Sequence, residues 1–191
     1  MEDVAEIDLT DRIDQSNRAD DPTVVHDLDE TNREILTWER FGRATRELAT
    51  EIATDGFRPD VVLAIARGGL TVAGALAYSL AVKNCFAMNV EFYTSVDQRL
   101  DVPVVLPPTL DVVDIRGMRV LIADDVADTG RTLELVRKEI AEHVAEARCA
   151  VLYHKPWSVI VPEYVWSHTD RWINFPWSCQ DPVVSVDNRD A

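Results

Sequence analysis

The run Val120-Leu121-Ile122-Ala123-Asp124-Asp125-Val126-Ala127-Asp128-Thr129-Gly130-Arg131-Thr132 constrains this chain more than any other stretch. Its four leading apolar residues read as a strand buried on both faces, the form found in parallel sheets covered by helices. Two acids stand at the strand's carboxyl end, where open α/β sheets receive their ligands. A turn of small residues follows, and then a helix begins. Residues 128–132 offer backbone N–H groups and two hydroxyls at a helix N-terminus, a cradle for an anion such as a phosphate monoester. Asp124 and Asp125 would repel a phosphate, but they can accept hydrogen bonds from sugar hydroxyls and help hold a hydrated Mg2+. An acidic turn that merely caps a helix is the plainer alternative. It fits less well, because two acids ending a buried strand are costly without partners.

The same grammar recurs upstream. Val61-Val62-Leu63-Ala64-Ile65-Ala66 is another short apolar run, and Arg67-Gly68-Gly69 follows it directly. Glycines let a backbone approach a ligand closely, and an arginine there can clamp oxyanions. Before it, Trp38, Phe41, Leu48 and Ile52 share one helical face, with Thr37 as the cap and Gly56 as the stop. A helix over about 70–82, a strand over 86–93, a strand over 118–123, a helix over about 132–147 and a strand over 149–154 complete the alternation. Strand–helix alternation of this kind predicts an α/β fold, a parallel twisted sheet flanked by helices with right-handed crossovers. Residues 94–115, with Pro103, Pro107 and Pro108, read as a long irregular connection, the kind that serves as a lid.

Two segments stand apart from this core, which runs over 37–155. Residues 1–36 read as an acidic, flexible extension: positions 1–34 hold twelve acids and three basic residues, −9 of the formal −15. Residues 156–191 hold four of the five tryptophans (Trp157, Trp166, Trp172, Trp177) and read as a small cap and tail. The net negative charge argues against general nucleic-acid binding. Only three lysines accompany sixteen arginines, which suits either a high-salt cytoplasm or an arginine-favouring genome. No apolar stretch has membrane length, and the first residues lack signal-peptide blocks, so a cytoplasmic protein is expected. Cys85, Cys149 and Cys179 are too far apart for a metal motif and odd in number, and they read as reduced thiols.

The run IADDVADTGRTL closely resembles the PRPP-binding motif of type I phosphoribosyltransferases, and a Walker-type GxxxxGK[ST] is absent. The resemblance spans roughly residues 37–178. It implies that Asp124 and Asp125 bind the ribose hydroxyls with Mg2+ nearby. It also implies that Ala127, Asp128, Thr129, Gly130, Arg131 and Thr132 hold the 5′-phosphate. Ala66, Arg67, Gly68 and Gly69 resemble the family's pyrophosphate loop, which often carries a cis peptide, here Ala66–Arg67. Asp128 stands where enzymes of the family that use guanine, hypoxanthine or xanthine carry Asp, and a carboxylate there can exchange a proton with purine N7. The plainer alternative, given less weight, is that it only caps the helix.

Lys155-Pro156 and the later Trp172-Ile173-Asn174-Phe175-Pro176-Trp177 are similar to the base-binding hood of xanthine–guanine phosphoribosyltransferases. By that resemblance Lys155 meets purine O6, while Trp172 and Ile173 sandwich the base and offer it carbonyls. An ammonium has donors only, so it selects a carbonyl over an amino group. The implied activity is transfer of ribose 5-phosphate from PRPP to a 6-oxopurine in purine salvage, with a homo-dimer or homo-tetramer expected. A nucleotide-sensing regulator of the same fold, or a transferase for another base, are the alternatives.

Overall fold

The computed structural model describes residues 32–95, 98–106 and 115–184. Most of the acidic extension (1–31), part of the expected lid (96–97 and 107–114) and the tail from 185 lie outside the described residues.

Among the described residues, eight strands and three helices follow in the order β1 (Glu34–Ile35), α1 (Trp38–Thr54), β2 (Val61–Ala66), α2 (Gly68–Ser79), β3 (Cys85–Ser95), β4 (Gln98–Leu106), β5 (Arg119–Ala127), α3 (Arg131–Ala141), β6 (Glu146–His154), β7 (Tyr164–His168) and β8 (Ile173–Asn174). The main sheet has the order β4-β3-β2-β5-β6-β7. Its five strands from β3 to β7 pair in parallel, and β4 is antiparallel to β3.

Alternation along the strands sorts the core into two layers. Val62, Ala64, Leu121, Ala123, Ala150 and Leu152 face α1 and α2. Val61, Leu63, Ile65, Val120, Ile122 and Val151 face the other way, onto Leu133, Val136 and Ile140 of α3. Both faces are covered, which is why these strands read as unbroken apolar runs. α1 starts where Thr37 accepts a hydrogen bond from the Arg40 N–H at 3.2 Å, and Gly56 leaves it at φ +81°.

Three sequence expectations change. The stretch 94–115 is not wholly irregular, since residues 98–106 form an edge strand; Pro103 is tolerated because an edge strand has one unpaired side. α3 ends at Ala141 instead of near Ala147, because β6 starts early to set Glu146 opposite Arg119. Strand pairing overrides the helical propensity of the intervening alanines and glutamates. Finally, Glu34 to Leu36 dock on the body: β1 pairs in parallel with β8, and Leu36 is buried.

Candidate active site

Pairing between β2 and β5 ends at Ala64 and Ala123. Beyond that point β2 turns through Arg67 into α2, while β5 continues to Ala127. Asp124 and Asp125 therefore lie inside the strand, three and two residues before its end, with the first turn of α2 against them. The Ala66–Arg67 peptide is cis. Glycine is required for this approach. A Cβ at Gly68 would overlap the Asp125 carboxylate, and one at Gly69 would overlap the carbonyl oxygen of Ala123.

The Asp124 carboxylate accepts the N–H of Asp125 at 2.9 Å, and the nearby Gly69 N–H favours its charged form. The indole N–H of Trp177 does the same for the Asp125 carboxylate. Burial, and for Asp124 also the charge of Asp125, raises both acids above the ordinary carboxylate range. A cation beside them would favour the charged forms. Among the described residues no group of three or more acids, histidines or cysteines could cage a metal. This donor set fits Mg2+, which keeps much of its water and takes one or two carboxylates together with substrate phosphates.

The turn after β5 opens a cavity of about 410 Å³ lined by Asp124 and residues 126–133. Gly130 adopts φ +76° at the start of α3, and a Cβ there would press on Ser158 and Ile160. The loop after β6 forms the adjacent wall: the Lys155 N–H donates to the Ala127 carbonyl at 3.1 Å, and the Val159 N–H to that of Thr129 at 2.9 Å. Ala127 and His154 are partners across β5 and β6, so Asp128 and Lys155 emerge side by side from neighbouring strands.

Lys155 is buried, and burial lowers its pKa against the pull of Asp128, Asp170 and Glu34. Its ammonium donates to the Arg171 carbonyl. Trp172 is exposed, whereas Ile173 is buried with Tyr153 and Phe175. The carbonyls of Trp172 and Asn174 accept from Glu34 and Leu36 at 2.8 and 3.0 Å. Backbone carbonyls alternate along a strand, so that of Ile173 faces away from β1.

The structure thus gathers the acids, Arg67, the turn and Lys155 at one end of the sheet. It also brings to the acids two tryptophans that the sequence reading placed in the cap and hood without a role there. The indole of Trp157 donates to Asp128 Oδ1 at 3.0 Å, and that of Trp177 favours the charged form of Asp125 while its ring stacks on Phe175 at 5.0 Å. Only the proximity of Trp157 to Lys155 in sequence could have signalled the first. The histidines, scattered in sequence, also meet: His154 and His168 bring their Nδ1 atoms to 3.2 Å at the ends of β6 and β7.

A parallel sheet with a phosphate-sized turn at the carboxyl end of a central strand, two acids beside it and a glycine loop on the next strand defines a phosphoribosyltransferase. The family model for the phosphoribosyl transferase domain matches residues 31–182, and the chain belongs to that family of enzymes. It is 32% identical over 151 residues to the xanthine-guanine phosphoribosyltransferase of Idiomarina loihiensis, covering 77% of this chain and 88% of the relative. With the enzyme of the same name from Roseobacter denitrificans it shares 35% identity over 153 residues, 74% of this chain and 83% of that one. The crystal structure of a purine phosphoribosyltransferase from Pyrococcus horikoshii superposes with a TM-score of 0.67 at 36% identity, covering 80% of this chain and 97% of that chain. In the described residues no helix is long and apolar enough to cross a membrane.

Proposed function

We propose that the chain transfers ribose 5-phosphate from PRPP to a 6-oxopurine, releasing pyrophosphate. The observation that carries this reading is the placement of Asp128 and Lys155 side by side at the ends of paired strands. A carboxylate and an ammonium so arranged suit a ring nitrogen that loses a proton next to an exocyclic carbonyl, which is the N7–O6 edge of guanine, hypoxanthine or xanthine. The names of the relatives point the same way.

In this reading the amides and hydroxyls of residues 128–132 hold the 5′-phosphate, helped by the positive end of α3. Asp124 and Asp125 accept the ribose hydroxyls and hold Mg2+, which when bound would offset the charge of the pyrophosphate. Arg67 clamps that pyrophosphate. The bond from the ribose C1 to pyrophosphate breaks ahead of attack by the base nitrogen, through an oxocarbenium-like state; the bond from C1 to that nitrogen then forms, and Asp128 takes the proton the base gives up. Lys155 keeps its bond to Arg171 and still has donors for O6. The loop after β6 and the segment around β8 form the hood over the base, while β7 between them belongs to the main sheet, and the carbonyl of Ile173, turned away from β1, is the one available to the base's own N–H groups. Association into a homo-dimer or homo-tetramer belongs to the same proposal.

The test is pyrophosphate release from PRPP and Mg2+ with guanine, hypoxanthine, xanthine, adenine and orotate, at low and multimolar salt. Turnover restricted to the 6-oxopurines is the expected result. Nucleotide binding without turnover on any base would replace this reading with that of a regulator.

A further inference from the structure

Trp157 touches both of the side chains just assigned to the base. Its indole N–H donates to Asp128 Oδ1 at 3.0 Å. The face of the same ring lies 5.5 Å from the Lys155 ammonium, within cation–π range. The ring is 54% exposed, so it contributes little to the core. Its loop is nonetheless pinned: the Ser158 N–H donates to the Lys155 carbonyl at 3.1 Å, the Ser158 hydroxyl to the Ile160 carbonyl at 2.8 Å, and the Val159 N–H to Thr129. A rigid ring on a fixed loop holds Asp128 by one carboxylate oxygen, and among the described residues no hydrogen bond takes the other.

We infer that Trp157 is a positioning residue that sets the spacing between Asp128 and Lys155, so that the pair matches a ligand edge carrying a ring nitrogen beside a carbonyl. The indole edge fixes the rotamer of the carboxylate, and the indole face steadies the ammonium. This rests on the reading of Asp128 and Lys155 given above. It adds that discrimination between 6-oxopurines and 6-aminopurines depends on a residue that touches neither O6 nor N7.

The experiment compares Trp157→Phe and Trp157→Ala with wild type, alone and in the Asp128→Asn background, using hypoxanthine and adenine. Phe keeps the ring and loses the N–H, so kcat should fall about tenfold, as for loss of a hydrogen bond to a charged group. The KM for PRPP should stay within about twofold, because the bond ends on the Asp128 side chain, whereas the turn holds phosphate through backbone N–H groups and threonine hydroxyls. Ala should in addition raise the KM for hypoxanthine about fivefold and narrow the preference over adenine, as Lys155 loses its cation–π contact. In the Asp128→Asn background, Trp157→Phe should cost nothing further in kcat, since its effect runs through Asp128. The indole N–H resonance of Trp157, assigned by its loss in Trp157→Phe, should move in Asp128→Asn and on adding hypoxanthine.

Wild-type kcat in Trp157→Phe, or an equal loss with and without Asp128, would overturn the inference while Asp128→Asn and Lys155→Met remain impaired. If those two variants turn over 6-oxopurines like wild type, the functional reading falls and takes the inference with it.

Discussion

From Asp124 to Thr132 the groups assigned to the sugar and its phosphate follow one another along nine residues of chain. A strand aims them and a helix N-terminus charges them, so local geometry does nearly all the work. The hood is built differently. Lys155 comes from the end of β6, the carbonyl it binds comes from Arg171, and the strand that presents Ile173 is held by Glu34 and Leu36 from the other end of the domain. Trp177 is wedged among Trp38, Phe41 and Phe175, with ring centroids at 6.0, 5.4 and 5.0 Å. A site whose parts are consecutive can be recognised from its letters and tolerates change elsewhere. One assembled from distant segments is adjustable, and it is the part of the molecule suited to choosing among bases.

Variants can break this contrast. The largest effect is expected from Asp128→Ala, at the meeting point of the two regions: kcat should drop about 10²–10⁴-fold, the span of a general acid–base residue, with only a modest loss of PRPP binding. Intact turnover in steady-state assays would remove Asp128 from the chemistry. Gly130→Val attacks the joint itself. A β-branched side chain at φ +76° that also presses on Ser158 and Ile160 should cost about 2–4 kcal/mol of stability and weaken PRPP binding, read by urea melts and titration calorimetry.

Lys155→Met should act on the hood alone. The KM for hypoxanthine should rise about 10–100-fold, as for a lost hydrogen bond to a charged donor, while the KM for PRPP holds. An equal rise for PRPP would mean that the two regions are not separable.

The smallest effect concerns stability. Burial and the neighbouring charge raise the pKa of Asp124, so the folded chain favours the protonated acid. That contribution is fully present below the unfolded-state value and is lost as the pH rises through the raised, folded-state one. Asp124→Asn should therefore melt close to wild type at pH 4 and above it at pH 8, by about 2–4 °C for each kcal/mol relieved, even as PRPP binding is lost. A variant that melts lower at pH 8 would show that the acidic pair is not destabilising.

Much of this molecule was legible in its letters. Buried parallel strands leave apolar runs, helices leave a periodic face, and a ligand turn leaves glycines and acids at fixed offsets, all within reach of a few residues. The parallel sheet, the cap at Thr37 and the turn at residues 128–132 follow from such local rules. The strand at residues 98–106 did not, because its proline and polar residues look like loop until an edge position excuses them. Nor did the end of α3, where pairing register outweighs propensity. Glu34 to Leu36 read as part of an acidic arm because nothing in their composition announces a partner 139 positions away at Ile173. The same holds for Trp157 and Trp177: a tryptophan's letter states its apolar bulk, but only the packed chain decides which carboxylate its single N–H will meet. Sequence determined the class of fold and the phosphate turn, since both depend on neighbours in the chain. Tertiary structure decided how the hood is fastened and what holds the acids, since those depend on side-chain directions that only long-range packing sets.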